Sequence, residues 1–345
     1  MRRNRSPVTT NGAAVDAPPG APGDPASFPT LVDVRRAAAR IAGVVRRTPL
    51  LRSDALSELA GADVHLKLET LQRTGAFKLR GAYSFVASLS DADRARGLVT
   101  ASAGNHGAAV ALSARLVGAK AVVFVPADAP EAKQRRIARH GGAELRRVAG
   151  GYDDAHAAAE AFAARTGACF VHAFSDPAVV AGQGTLGLEI FEQCPSIRTL
   201  VVPVGGGGLI GGVGTVARAL GEGVRVVGVQ TEETAAMHAS LAAGRLTSTR
   251  YGPTLCEGLS GDTDERALAL ARRVVDEIVL VSESAVRRAI RWLVAEEGIV
   301  AEGSAAVGAA ALLEGALGQI EGPSVVVLTG SNLDAGRLAR ILTEG

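Results

Sequence analysis

The chain has 345 residues, of which 47% are hydrophobic and only 3% aromatic, with 37 basic and 35 acidic side chains for a net charge of +2. This length suffices for two domains, or for one large domain with an inserted lobe. The balanced charge does not indicate a basic surface for nucleic acid, and no apolar run is long enough to span a membrane. We therefore expect the protein to bind neither nucleic acid nor a membrane.

The order of predicted elements indicates an α/β protein with an insertion. Residues 1–28 are rich in Pro, Gly and Ala without periodicity and are predicted to be a disordered tail. Between residues 97 and 173, short apolar strands alternate with helices, as in a parallel sheet covered on both faces. We therefore expect a small inserted domain at 97–173 and a large domain made of 29–96 and 174–345.

Three cysteines, Cys169, Cys194 and Cys256, lie far apart in the chain. An odd number at such spacing indicates free thiols in a reducing compartment, so we expect a cytoplasmic protein. No Cys/His spacing is typical of a zinc site.

A lysine lies at a predicted junction of loop and helix. Val64–Leu68 alternates apolar and polar side chains as a half-buried strand does, Thr74 and Gly75 indicate a turn, and a helical pattern begins at Phe77. Lys78 therefore has small and apolar neighbours. An amine that loses hydration has a lowered pKa and attacks aldehydes. The alternative is a solvated lysine in the first turn of an ordinary helix.

A run of four glycines follows a predicted buried strand and precedes a helix that begins at Leu209. This glycine loop consists of Gly205, Gly206, Gly207 and Gly208. Such a loop directs N–H groups towards one point at the positive end of a helix dipole and predicts phosphate binding. The segment also fits the G-x-G-x-x-G dinucleotide fingerprint, which requires an acid at the end of the next strand. That strand ends in Gln230, but Glu232 and Glu233 follow it, so the dinucleotide alternative stays open.

A second strand-to-helix loop offers N–H groups, a hydroxyl and an amide. This Ser102 loop consists of Ser102, Ala103, Gly104, Asn105 and His106. The arrangement suits a small carboxylate, although Ser102 could equally cap the helix and His106 alone is more typical of a structural residue.

In chain order, the Lys78 stretch, the Ser102 loop and the glycine loop resemble fold type II pyridoxal-phosphate enzymes, and among them the threonine/serine dehydratase and serine racemase branch. The likeness runs from about residue 40 to about residue 340. It implies a tryptophan synthase β-like fold with two lobes, each with a mainly parallel sheet covered by helices. It also implies pyridoxal 5'-phosphate as cofactor and a homodimer or larger homo-oligomer.

The resemblance also implies roles for individual residues. Lys78 would bind the cofactor covalently and then accept the Cα proton of the substrate, while the Ser102 loop binds the substrate carboxylate. Asn105 would in addition contact the phenolic oxygen of the cofactor, and the Thr329 hydroxyl would meet its pyridine nitrogen. A hydroxyl does not hold that nitrogen protonated, so the ring is a weaker electron sink, which favours β-elimination over transamination. The other positions that the resemblance places near the cofactor are Phe77, Leu209, Glu257, Gly258 and Glu302.

Two departures from the branch bear on activity. Racemases of the branch carry a serine where Ala103 stands, and Ala103 has no proton to give. Metal-binding members carry acids where this chain has Gln230 and Ala236, so we expect no metal, although Glu232 and Glu233 lie close by.

The sequence thus predicts β-elimination of a β-hydroxy amino acid such as threonine or serine, giving a 2-oxo acid and ammonia. A larger or more acidic side chain is also possible. The alternatives are an amino acid racemase or a β-replacement enzyme of the same fold, and a non-catalytic binding protein that kept the fold.

Overall fold

A computed structural model describes residues 28–249 and 251–344. The predicted tail lies outside the described residues except for Phe28, which packs against Val180 and Leu270. In the described part of the chain, no helix combines the length and apolar character needed to cross a bilayer.

Helices and strands alternate along most of the chain. The described strands are β1 (Leu50–Arg52), β2 (Val64–Leu68), β3 (Leu98–Ala101), β4 (Ala121–Pro126), β5 (Ala143–Val148), β6 (Cys169–Phe170), β7 (Thr199–Pro203), β8 (Arg225–Thr231), β9 (Glu277–Val281) and β10 (Ser324–Leu328). The described α-helices are α1 (Leu31–Ile41), α2 (Asp54–Ala60), α3 (Lys78–Ser88), α4 (Asp91–Arg96), α5 (Asn105–Val117), α6 (Glu131–Ala138), α7 (Tyr152–Thr166), α8 (Pro177–Gln193), α9 (Gly208–Leu220), α10 (Ala236–Ala243), α11 (Glu265–Val274), α12 (Glu283–Glu297), α13 (Gly303–Leu313) and α14 (Ala335–Thr343).

Local sequence explains where several helices begin. The Thr30 hydroxyl accepts a hydrogen bond from the Asp33 N–H, and the Asp33 carboxylate accepts one from the Thr30 N–H, which closes a capping box on α1. Asp176 caps α8 by accepting from the Ala178 N–H at 2.7 Å, and Pro177 occupies the first helical position.

The strands form two sheets. The larger has the order β1-β2-β10-β7-β8-β9, and only the pairing of β1 with β2 is antiparallel. The smaller has the order β5-β4-β3-β6 and is parallel throughout. Helices cover both faces of each sheet, with separate apolar clusters on the two sides. The predicted α/β architecture with two mainly parallel sheets is confirmed.

The smaller sheet is built from strands between residues 98 and 170, with α5, α6 and α7 as its connections. Helix α3 lies before this segment, yet Leu79 and Val86 share an apolar cluster with Leu98 and Val110. We propose residues 97–173 as the smaller lobe, which makes α3 the helix that joins the two lobes.

Four charged side chains are buried together beneath the start of α3, and we call them the Arg80 network. Its members are Lys67, Glu69, Arg80 and Glu189. Arg80 donates to Glu69 at 2.8 Å and to Glu189 at 2.7 Å, and the Lys67 amine lies 2.8 Å from Glu189. The first three side chains are fully buried and Glu189 is 15% exposed. The network therefore links β2, α3 and α8 through two positive and two negative charges.

Candidate active site

The carboxyl ends of the parallel strands place the predicted site loops at common edges of the two sheets. Lys78 follows β2 through a short loop, the glycine loop follows β7, and Thr329 follows β10 directly. The Ser102 loop follows β3 of the smaller sheet. Ligands of open α/β sheets bind at this end of the strands.

Lys78 is the first residue of α3. Its backbone position is tied to β10, because the Phe77 N–H donates to the Thr329 carbonyl at 3.0 Å. The Lys78 amine donates to the Ala173 carbonyl at 2.9 Å and lies 5.2 Å from the centre of the Phe77 ring. Burial lowers the pKa of this amine from its ordinary 10.5 to about 8. At pH 7 about one tenth of the amine is therefore in its nucleophilic free form, roughly several hundred times more than at the ordinary lysine pKa.

The glycine loop leads into α9, and neighbouring atoms leave little space for side chains on it. Gly207 has a φ of +95°, and a Cβ there would lie 2.7 Å from the Met237 methyl group. A Cβ on Gly206 would lie 2.5 Å from the Phe174 ring. The Leu209 side chain points into the apolar core, so only its backbone N–H could contact a ligand. The loop can therefore offer main-chain donors at a helix N-terminus, which fits a phosphate group.

The Ser102 loop leads into the N-terminus of α5. Ser102 accepts a hydrogen bond from the Gly104 N–H at 3.1 Å, and the Ala103 methyl packs on the apolar cluster around Val123. The His106 ring is buried and contacts the Val171 carbonyl through Nε2 at 2.9 Å. Burial, with the nearby Lys78 charge, lowers the pKa of His106 to about 3, so its imidazole is neutral. Its other ring nitrogen, Nδ1, is buried and has no hydrogen-bond partner among the described residues.

Asn105, at the start of α5, contacts two residues from the C-terminal part of the chain. Its Nδ2 donates to the Glu302 carboxylate at 2.7 Å, and its Oδ1 accepts from Asn332 Nδ2 at 2.7 Å. Asn332 also donates to the Thr74 carbonyl at 2.9 Å. Burial raises the pKa of Glu302. The orientation of the Asn105 amide is therefore fixed by partners at both ends. Sequence reasoning assigned no role to Asn332, although it lies in the turn after β10 that carries Thr329.

Two hydroxyl residues follow β10. The Ser331 hydroxyl donates to the Thr70 carbonyl at 2.9 Å, and the Thr329 carbonyl receives the Phe77 N–H, so Thr329 lies beside the start of α3. Since the Ser331 hydroxyl already has a partner, Thr329 is the candidate for contact with a ring nitrogen near Lys78.

Gly258 and Glu257 differ in their surroundings. The Gly258 N–H donates to the Ser304 hydroxyl at 2.9 Å, and a Cβ on Gly258 would lie 2.8 Å from that oxygen. Glu257 is half-exposed and forms ion pairs with Lys133 of α6 and with Arg337 of α14. Its carboxylate therefore bridges α6 and α14.

The residues present fit pyridoxal phosphate. A desolvated amine suits the aldehyde, a glycine loop at a helix N-terminus suits the phosphate, and Thr329 and Asn105 offer a hydroxyl and an amide for the ring.

Comparison with known proteins agrees with this fit. The model of the family "Pyridoxal-phosphate dependent enzyme" matches residues 41–330. The L-threonine ammonia-lyase of Thermotoga maritima is 43% identical over 318 residues, which are 92% of this chain and 79% of that relative.

Solved structures show the same fold. Maize serine racemase is 31% identical with a TM-score of 0.87, over 90% of this chain and 96% of that one. The processed form of threonine deaminase isoform 2 from Solanum lycopersicum is 29% identical with a TM-score of 0.82, over 92% and 95% of the two chains. Since the family model spans most of the sequence, the chain belongs to the pyridoxal-phosphate-dependent enzymes.

Proposed function

We propose that this protein is an ammonia-lyase that removes the β-hydroxyl group of threonine or serine, giving a 2-oxo acid and ammonia. The observation that carries the proposal is a desolvated Lys78 amine at the start of α3, where the backbone of Phe77 is bonded to that of Thr329, a residue with a hydroxyl and no carboxylate. The relatives named for activity on threonine support the substrate class.

Each group of the site has a defined task in this reaction. Bound pyridoxal phosphate supplies an electron sink for the bonds at the substrate Cα. The glycine loop would hold the phosphate, and Lys78 would attach the cofactor. The Lys78 amine, once free, would accept the Cα proton of the substrate. The N–H groups of the Ser102 loop would hold the substrate carboxylate, and Asn105 would orient the ring. Thr329 would offer the pyridine nitrogen a hydroxyl and no carboxylate, which suits prompt loss of the β-hydroxyl.

The segment after β6 forms the wall next to the amine and would face the substrate side chain. The Ala173 carbonyl accepts from Lys78, and the Phe174 ring packs at 4.7 Å on the His172 ring. The His172 Nδ1 accepts the Ser175 N–H at 2.9 Å, which keeps the segment compact. A small β-hydroxy side chain is therefore the expected substrate.

Racemisation requires a proton donor on the face opposite Lys78. Ala103 occupies that place by family resemblance and carries only a methyl group, which supports elimination over racemisation. β-Replacement would require a second nucleophile to add after the hydroxyl leaves.

The test is release of 2-oxo acid from a panel of L- and D-β-hydroxy amino acids, with and without an added thiol. We expect L-threonine or L-serine to give equimolar 2-oxo acid and ammonia, unchanged by the thiol. Product in which the thiol is incorporated, or inversion at Cα without ammonia, would contradict the proposal.

The pKa of Lys78 gives a pH dependence. Only the free amine attacks an aldehyde, so we expect the apoprotein to capture pyridoxal phosphate faster as pH rises through about 8 and then to level off. Stopped-flow absorbance measures the rate, and Lys78→Ala controls for the other lysines. A rate that instead rises only near the ordinary lysine pKa would contradict a buried amine.

We also propose a cytoplasmic homo-oligomer, a dimer or tetramer. The free Cys169, Cys194 and Cys256 support a reducing compartment, and family resemblance supports the assembly.

A further inference from the structure

His172 lies in the segment after β6, next to two groups of the candidate site. The carbonyl of the following residue, Ala173, accepts a hydrogen bond from the Lys78 amine at 2.9 Å. The Phe174 ring packs edge-on against the His172 ring with 4.7 Å between their centres, and it also occupies the space where a Cβ on Gly206 would lie. The imidazole is therefore a neighbour of both the nucleophilic amine and the glycine loop.

Two backbone donors fix the tautomer of this ring. Its Nδ1 accepts the Ser175 N–H at 2.9 Å and the Phe174 N–H at 3.3 Å. A ring nitrogen that accepts a hydrogen bond is unprotonated, so the proton of the neutral ring lies on Nε2. This Nε2 has no hydrogen-bond partner among the described residues, and unlike Nδ1 of His106 it is not sealed off from solvent. The ring therefore presents one free N–H donor.

The surroundings of the ring keep it uncharged. Burial is the main cause that lowers the pKa of His172 to about 4, and Asp264 acts in the opposite direction. His156 of α7, Lys78 of α3 and Arg266 of α11 add to the lowering. Since the Lys78 charge contributes to this shift, the ring and the amine lie close together. At neutral pH the donor is thus a neutral imidazole, which can contact a hydroxyl without repelling the amine.

We propose that His172 is a specificity-determining residue whose Nε2–H donates a hydrogen bond to the β-hydroxyl oxygen of the substrate. The inference rests on the proposed elimination and names the group that recognises the leaving oxygen. Over the reaction, the Cα–H electron pair becomes the second bond between Cα and Cβ, and the Cβ–O pair departs with the oxygen. The hydrogen taken from Cα and the departing hydroxyl add up to one water, so His172 neither gains nor loses a proton. A fixed donor stabilises the negative charge that grows on that oxygen.

Two substitutions separate the roles of the two ring nitrogens. His172→Asn keeps an acceptor near the position of Nδ1 for the Ser175 N–H but removes the donor, whereas His172→Gln keeps a donor near the position of Nε2. Each holoenzyme is assayed with L-serine, with L-threonine and with 3-chloro-L-alanine, in which chloride, a good leaving group, replaces the hydroxyl. The matched control is His156→Asn, because His156 belongs to α7, lies beside Glu160 and has its ring centre 6.4 Å from that of His172.

We expect His172→Asn to lower kcat/KM for the hydroxy amino acids about tenfold to a hundredfold, and to leave the value for 3-chloro-L-alanine within about twofold of wild type. His172→Gln should keep the wild-type ratio of these values, and His156→Asn should resemble wild type with every substrate. A readout independent of activity is a long-range 1H–15N NMR spectrum of the apoprotein, in which His172 should show a protonated Nε2 and a bare Nδ1 at neutral pH.

The outcomes separate the two proposals. If wild type releases 2-oxo acid from 3-chloro-L-alanine but from neither hydroxy amino acid, the proposed function fails, and this inference fails with it. If wild type acts on the hydroxy amino acids but His172→Asn changes all substrates equally or none, or if the proton lies on Nδ1, only the inference about His172 is overturned. If His172→Asn does not fold, the NMR spectrum and the substrate ratio of His172→Gln decide.

Discussion

Replacing Lys78 with alanine should abolish 2-oxo acid release to within the detection limit. Loss of the proton transfer alone costs about 10²- to 10⁴-fold in rate, and the variant also loses the covalent attachment of the cofactor. Steady-state assays with L-threonine measure the first effect. Reduction of the wild-type holoenzyme with borohydride, followed by proteolysis, should leave the pyridoxyl group on the peptide that contains Lys78.

Lys120 provides a matched control, because it is exposed and directly precedes β4. Lys120→Ala should keep wild-type activity and labelling. A pyridoxyl group on the peptide with Lys67, or substantial activity in Lys78→Ala, would show that the nucleophile lies elsewhere.

Replacing Arg80 with methionine should destabilise the protein by about 3–5 kcal/mol, because it leaves Glu69 and part of Glu189 buried without their main partner. Burying each charge of such a pair carries a large desolvation cost, which its partner offsets. Removing one partner leaves the other charge buried without that compensation, which destabilises the protein more than replacing both charges by apolar residues would. Urea denaturation of the apoprotein, followed by circular dichroism, measures the change in midpoint.

Arg47 offers the control for this effect. It pairs with Glu192 at the surface, where the two side chains are 54% and 61% exposed. Arg47→Met should change stability by less than about 1 kcal/mol, since exposed pairs contribute little. Equal effects of the two substitutions would mean that the Arg80 network contributes no more than a surface pair.

Much of the fold was predictable because buried parallel strands are continuous apolar runs. Strands β7 and β10 are buried at every position and apolar at every position after the first. Parallel topology follows from strands that alternate with helices, and it brings the loops after β2, β7 and β10 to one edge. The backbone contact between Phe77 and Thr329 therefore follows from local patterns and topology together.

The polar contacts between distant segments were not predictable. Asn332 and Glu302, which hold the Asn105 amide, lie 227 and 197 residues from it in the sequence. No local periodicity reveals such pairs. Lys67 looked like the polar face of a half-buried strand, but its amine is completely buried against Glu189. Side-chain partners in a core depend on the packing of helices, which composition and periodicity do not determine.

The balance of charge beneath α3 has a consequence for how the protein responds to salt. Dissolved ions screen exposed charges over about 10 Å at moderate ionic strength but reach buried pairs poorly. The Arg80 network is buried and sums to zero, and the lowered pKa of Lys78 comes from burial. The ion pairs that hold the start of α3 against β2 and α8 should therefore keep their strength when the salt concentration changes, so the placement of Lys78 does not depend on the electrolyte.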